Sequence, residues 1–414
     1  MKSSRLTKGH IALGAALCGA LGMTACKPVG PNYAPATVTA PPAYREVGGT
    51  AVAPPPNPNG GAWQPASPSD GLLRGAWWEI YKDPQLNALE EKIATSNQTL
   101  RTAVQAYLAA RDQVRVARAD FYPTASAGAS FEHDRLSHNR PLATNSSKSS
   151  YNDLVLAGQA SWEPDFWGRV RRSVEAATAN AQASAADAAV VDLSLHAELA
   201  QDYFELRGLD SQSKLLQSTV SDYEHQLNLT EQRLQGGVAT EADVAQANTL
   251  LETVRAQLID VQQGRAQYEH AIATLINEPA ANFSLAPAPL GLTLPSVPIG
   301  VPSQLAERRP DVAAAERRAA AANAQIGIAI SAFYPTISLG GTGGFESTHG
   351  GTWIQGPSAL WNLGAQATEL LFDGGRRHAY TDAARHNFEA QSANYKATVL
   401  AAFNEVEDRL SDLR

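Results

Sequence analysis

The sequence predicts a mixed fold, mainly α, laid out as two helix–strand–strand–helix repeats. Three observations carry this. Phe-Tyr-Pro-Thr occurs at 121–124 and again at 333–336, each time after an alanine-rich helical pattern and before an alternating stretch. The segment Val170–Leu234 holds no proline and a single glycine, Gly208. As one helix it would run about 97 Å at 1.5 Å per residue, far beyond the usual 11–12 residues. Finally, each alternating stretch leads back into a helical pattern through a glycine turn, Asp-Phe-Trp-Gly-Arg at 165–169 and Phe-Asp-Gly-Gly-Arg at 372–376.

Residues 1–25 read as an export signal, with Lys2, Arg5 and Lys8 ahead of the apolar stretch Ile11–Leu21. Met23-Thr24-Ala25 puts small residues just before Cys26, which points to acylation of that cysteine as the first mature residue. The only other cysteine, Cys18, leaves with the signal, so no disulfide is expected. Lys27, standing where an aspartate would favour inner-membrane retention, favours the outer membrane. Eleven of the 24 prolines fall within residues 27–75. Such a segment cannot build a core, so residues 26–75 are expected to form an extended, lipidated strap. The formal charge of −8, with no Lys/Arg cluster interleaved with aromatics, argues against nucleic-acid binding.

The first repeat is expected over 76–278. A helix from about 97 to 119 stops ahead of Pro123, because a proline disfavours helix at the residue before it. The hairpin that follows spans about 124–163. Ala125, Ala127, Ala129 and Phe131 share one face, and Thr124, Ser126, Ser130 and Glu132 the other. On the return strand Leu154, Leu156, Ala160 and Trp162 oppose Gln159, Ser161 and Glu163. The second repeat, 303–414, has its hairpin at about 336–370. There Ile337, Leu339, Phe345, Trp361, Leu363, Ala365 and Ala367 alternate with polar residues and glycine.

Two-faced strands of about ten residues suit a membrane barrel. Four strands cannot close one, since about eight is the practical minimum. An open edge cannot sit in lipid, where every backbone group needs a partner. If these hairpins enter a membrane, several chains must share one barrel. In the long helix, Val170, Val174, Ala177, Ala181, Ala188, Val191 and Leu195 mark an inner stripe with further alanines on its flanks, which suits close neighbours on two sides. Gly236-Gly237 breaks this helix, and Thr240 with Asp243 forms a capping-box pattern that starts a return helix to about Ile276. A proline-rich connector follows at 279–302.

The stretches "CKPVGPNY", "WWEIYKDPQLNAL", "ERRPDVAAAERRAAAANAQIGIAISAFYPTISLGG" and "LFDGGRR" resemble the TolC-like outer-membrane efflux proteins, specifically the lipoprotein branch serving resistance–nodulation–division pumps. The resemblance covers essentially all of residues 26–414. It implies a homotrimer with a 12-stranded barrel in the outer membrane, continued by a long helical barrel in the periplasm. Pro123 and Pro335 would mark the helix-to-strand junctions, and Gly168 and Gly374 the returns. The implied function is passive: an exit duct for drugs and other small toxic compounds, working with a periplasmic adaptor and a proton-driven inner-membrane pump. The turn Gly236, Gly237, Val238 and Ala239 resembles the hairpin tip where adaptors dock. Asp243 matches a position near the tip where the family places polar groups that hold the entrance shut.

The repeat's own logic also carries an expectation about length. The first unit runs about 150 residues from its Phe-Tyr-Pro-Thr to Ile276, whereas Arg414 lies 78 residues after Thr336. A full second unit therefore calls for about 70–75 more residues, including a second tip. No HExxH, CxxC, GxSxG or Walker pattern is present, so neither an enzyme nor a cofactor is expected. His133 and His138 flank a polar loop, where histidines are far more often surface residues than metal ligands. Two alternatives remain at this point: the outer component of a type I protein secretion system, and a periplasmic coiled-coil lipoprotein without a pore.

Overall fold

The computed structural model describes residues 27–38, 41, 45, 75–135, 137, 150–291 and 308–412. The export signal, Cys26, His138 and most of the proline-rich strap and connector lie outside them. The helices are α1 (Pro84–Ser96), α2 (Gln98–Ala119), α3 (Arg169–Gln235), α4 (Glu241–Leu275), α5 (Pro310–Ser331) and α6 (Arg376–Asp412). The strands are β1 (Thr124–Arg135), β2 (Ser150–Trp162), β3 (Thr336–Ser347) and β4 (Ala359–Thr368). The described residues fall into two compact units. One comprises residues up to Val38, Ala109–Ala183 and Ala315–Thr398; the other comprises Thr39–Leu108, Ser184–Ala314 and Val399 onward.

The first unit contains the sheet, antiparallel throughout, in the order β1-β2-β3-β4. In the same unit an extended segment is held by side chains from the helices. Val29 N–H donates to the Trp167 carbonyl at 3.0 Å. Arg172, 2% exposed, donates to the carbonyls of Val29 (3.2 Å) and Gly30 (3.1 Å) and to Asn32 Oδ1 (3.0 Å). Asn323 Nδ2 adds a bond to the Pro31 carbonyl at 3.0 Å. Proline and glycine leave this stretch without a regular ladder, so its backbone acceptors must find side-chain donors instead.

The second unit is helical. Its core joins Leu86, Leu89 and Ile93 of α1 to Leu199, Tyr203 and Leu206 of α3 and to Ile272 and Ile276. Asp83 caps α1, accepting from Gln85 N–H at 2.8 Å and Leu86 N–H at 3.1 Å, with Pro84 at the first turn where its missing N–H costs nothing. Within this core, His196 stacks on Trp78 with ring centroids 4.3 Å apart and donates from Nδ1 to Glu90 Oε2 at 2.6 Å. Burial opposes a charged imidazole there, but the hydrogen bonds and charges of Asp192 and Glu90 outweigh it and lift its pKa to about 9.

Part of the expected connector is also fixed. Arg265 donates to the Leu285 carbonyl at 2.5 Å and Arg207 to the Ala286 carbonyl at 2.9 Å. Glu269 and Asp210 accept from Leu285 N–H at 2.5 Å and Ala288 N–H at 3.0 Å. Backbone groups of this extended run are thus satisfied by ion-paired side chains, the buried pair Arg207–Asp210 at 2.9 Å and the partly buried Arg265 on Asp210 at 2.6 Å.

The long helix bears out the expected stripe in part: Val170, Ala181 and Leu195 are buried, while Val174, Ala177, Ala188 and Val191 are only partly so, and the flanking Ala176, Ala179, Ala183 and Ala186 are buried beside them. With alanine on every side, hydrophobic contrast around the helix is weak, and the packing partners choose the face: Ala186 clusters with Ala313 and Ala314.

Candidate pore sheet and helical hairpin tip

Antiparallel register puts directly opposed residues on the same face, so the pairings define the sheet's two surfaces. Thr124↔Ser161, Ser126↔Gln159, Gln159↔Thr342, Ser161↔Gly340, Ser338↔Gln366 and Thr342↔Asn362 make one face polar. Ala125↔Ala160, Ala129↔Leu156, Phe131↔Leu154, Leu156↔Phe345, Trp162↔Leu339 and Leu339↔Ala365 make the other apolar. The polar face bounds a recess of about 480 Å³, lined in part by Gln159, Ser161, Thr342, Asn362 and Gln366. At Gly344 a Cβ would collide with the Leu156 carbonyl oxygen, so only glycine allows the sheet its close approach there.

On the apolar face, Trp361 and Leu363 remain 77% and 80% exposed. A soluble chain rarely leaves so much apolar surface uncovered. The strands are 12, 13, 12 and 10 residues long, enough to cross a bilayer core, which needs about 9–11 when tilted. Among the described residues, neither the outer edge of β1 nor that of β4 is paired.

Both Phe-Tyr-Pro-Thr copies stand at helix-to-strand junctions. α2 and α5 end at Ala119 and Ser331, four residues before Pro123 and Pro335. Single-turn bonds then close each helix, Tyr122 N–H to Ala119 O at 3.0 Å and Tyr334 N–H to Ser331 O at 3.2 Å, and the strands start one residue after each proline. The prolines therefore set the extended entry into the strand rather than the last helical residue.

The return junctions share a carboxylate cap. Asp165 accepts from the N–H groups of Val170 and Arg171, both at 3.0 Å, and from Arg171 Nε at 3.0 Å. Asp373 accepts from Gly375 N–H at 3.0 Å, Arg377 N–H at 3.1 Å and Arg377 Nε at 2.8 Å. A carboxylate at a helix start meets unsatisfied N–H groups and the positive end of the helix dipole, so both returns begin their helices in the same way. Gly168 and Gly374 have φ of +85° and +65°.

At the tip, Gly237 has φ +74°, with Gly237 N–H bonded to Leu234 O and Val238 N–H to Arg233 O, both at 2.9 Å. This is the Schellman arrangement, which needs a left-handed residue and so a glycine. It leaves Val238 77% exposed at the apex between Gly236, Gly237 and Ala239. Thr240 then starts α4: its N–H and hydroxyl both donate to Asp243 Oδ2 at 2.8 Å, and Asp243 N–H donates back to the hydroxyl at 3.2 Å. These bonds hold the Asp243 carboxyl below its usual pKa. Asp243 is thus engaged in the capping box.

No cluster of three metal-ligating residues occurs among the described residues. The ring nitrogens of His133 meet Asn152 Oδ1 at 2.7 Å and Ser150 Oγ at 2.8 Å, as cross-strand contacts. Sequence patterns did not single out Arg172, Trp167 or the Arg207–Asp210–Arg265 group. Their role is to hold distant backbone, which leaves no local motif.

An amphipathic sheet whose outer edges lack partners among the described residues, together with long helices, points to a class: outer-membrane channel components. The chain belongs to the outer membrane efflux protein family, whose sequence pattern matches residues 89–278 and 301–414. It is 32% identical over 356 residues to the toluene efflux pump outer membrane protein TtgC of Pseudomonas putida, covering 86% of this chain and 73% of that protein. It is 30% identical over 353 residues to the pyoverdine export outer membrane protein OpmQ of Pseudomonas aeruginosa, covering 84% and 74%. Its fold matches the solved outer-membrane channel OprN with a TM-score of 0.81 and 29% identity, over 93% of this chain and 82% of that one. The protein is an outer-membrane channel component of an efflux system, a transport part rather than an enzyme.

Proposed function

We propose that three copies contribute their four-stranded sheets to one 12-stranded barrel, with the apolar face toward lipid and the polar face lining the bore. The carrying observation is a two-faced sheet whose outer edges both lack a partner among the described residues. In lipid those edges demand strands from other copies. The long helices continue the duct into the periplasm, and acylation of Cys26 adds a lipid anchor. The duct is passive. A proton-driven inner-membrane pump and a periplasmic adaptor deliver cargo, and the adaptor docks on Gly236–Ala239. Relatives named for toluene efflux and pyoverdine export support small organic molecules as the cargo. Asp243, held by Thr240, keeps the entrance end of α4 in shape for closure.

The exposed apex makes docking testable. Val238→Asp places a charge on the contact surface without touching the backbone bonds of the turn. In cells deleted for the native gene, the variant should reach the outer membrane in normal amount yet leave an efflux dye accumulating about tenfold more, as expected for loss of about 1.4 kcal/mol or more of docking free energy. Dye efflux equal to that of the unaltered protein would remove the tip from the docking surface.

A further inference from the structure

Resting on the shared-barrel reading, we infer that β4 of one copy pairs with β1 of the next in a single definable register, Thr368 opposite Gly128, because the chain already contains a copy of that seam between β2 and β3.

The two hairpins are structural repeats. The first opens with the pair Thr124↔Ser161 and the second with Thr336↔Thr368. β1 and β3 therefore correspond with Thr124 matching Thr336, and the side chains agree along their length: Ser126 with Ser338, Gly128 with Gly340 and Ser130 with Thr342. β2 and β4 correspond with Ser161 matching Thr368, and here too Gln159 falls on Gln366, Leu156 on Leu363 and Ala160 on Ala367. Within the chain, β2 meets β3 with Ser161 opposite Gly340. Replacing each strand by its counterpart gives Thr368 opposite Gly128 of the neighbouring copy. The antiparallel run then places Gln366 opposite Ser130, Asn362 opposite Asp134 and Trp361 opposite Arg135.

This register meets three physical requirements at once. It keeps the polar face of one strand beside the polar face of the other, since a slip of one residue would exchange the faces. It sets the exposed Trp361 ring beside the Arg135 guanidinium on the lipid-side surface, an arrangement that favours a cation over an aromatic face. It also continues the inner seam around the barrel, so every junction repeats one geometry and the ring can close. At the inner seam Trp167, beyond the end of β2, stacks on Tyr334 at the entry of β3, centroids 4.8 Å apart. Tyr122, which matches Tyr334 at the entry of β1, is 71% exposed and has no such contact among the described residues.

Disulfide trapping reads the register directly. Directly opposed residues have Cα atoms about 4.5–5.5 Å apart, inside the range a disulfide spans, whereas partners displaced by two residues lie about 7–8 Å apart. Within one chain, β2 and β3 separate the two strands, so a bond between them must join different copies. The native cysteines, Cys18 and Cys26, precede the sheet, and the Ser130→Cys single variant gives their background. In outer membranes treated with a mild oxidant, Gln366→Cys/Ser130→Cys should yield covalent dimers and trimers at least about fivefold above Gln366→Cys/Gly128→Cys and Gln366→Cys/Glu132→Cys, given those separations. A trimer by mass in detergent whose strongest cross-link is a displaced pair, or which cross-links at none of the three, overturns the register and leaves the shared barrel standing. A monomer by mass, with no cross-link, removes the shared barrel itself.

Discussion

The two places where a strand hands the chain back to a helix use the same cap in different surroundings. At the first return, Gly168 is buried under Pro28, and a Cβ added to it would lie 2.5 Å from the Pro28 Cβ. Trp167 donates to the Pro335 carbonyl at 2.7 Å, and Arg172 reaches back to residues 29–32. At the second return, Gly374 has nothing within 4 Å of an added Cβ, Leu371 is 89% exposed, and His378 stands exposed in the place of Arg172. The Asp–Arg clamp persists in both. Local chemistry therefore starts the helix, and neighbours determine how firmly the turn is held. The first return follows a mid-sheet strand and has its neighbours on the same chain; the second follows an edge strand, and its apolar side chains are uncovered.

The largest expected effect follows from the buried guanidinium. Arg172→Ala strips donors from the Val29 and Gly30 carbonyls and from Asn32, and leaves Glu175, at 2.7 Å, without its partner. Removing hydrogen bonds to a buried charged group should cost about 3 kcal/mol or more, against about 0.5 kcal/mol for an exposed site such as His378→Ala. Thermal melts of the two variants in detergent measure this. Equal shifts would break the contrast between the returns.

Glycine replacement sharpens the same contrast with a smaller expected difference. Both Gly168→Ala and Gly374→Ala place a side chain in left-handed backbone, worth about 1–2 kcal/mol. Only Gly168→Ala also drives a methyl group into Pro28, adding about 1–3 kcal/mol for overpacking unless the segment lifts away. Gly168→Ala should thus be the less stable variant, with residues 27–33 opened to protease. If the segment stays protected, its docking does not depend on the glycine.

Much of this was legible in the sequence because it is written in local pattern. The doubled Phe-Tyr-Pro-Thr, the strict alternation from Thr124 and Thr336, and the break at Gly236-Gly237 each act within a few residues of chain. The long helix was expected over 170–234 and is observed over 169–235, since the absence of proline and near absence of glycine leave nothing to stop it. The buried face of that helix was legible only in part: Val170, Ala181 and Leu195 of the expected stripe are buried, but alanines at 176, 179, 183 and 186 look no different in sequence from those at 177 or 188. Nor were the holds on extended chain. Arg172 looks like one of three arginines in Arg-Val-Arg-Arg, and only the tertiary structure shows that it binds residues some 140 positions earlier. Hydrogen bonds of that reach carry no period.

The smallest effect concerns the shared clamp and is a matter of pH. Burial of the Asp373 carboxyl works to raise its pKa, but the N–H groups of Arg377 and Gly375 and the Arg377 guanidinium outweigh it, so the group titrates below its ordinary value of 3.8. A carboxyl depressed in the folded state favours folding above its unfolded pKa, and that contribution fades as pH falls through the folded value. The unaltered protein should therefore lose part of its stability on acidification below about pH 4, and Asp373→Asn should lose less of it over the same range. At pH 7 the variant should melt slightly lower, since an amide caps a helix but cannot pair with Arg377. Melting curves taken from pH 6 down to pH 2.5 compare the two. Curves that run parallel to the lowest pH would mean that the folded return does not favour the ionised carboxylate of Asp373.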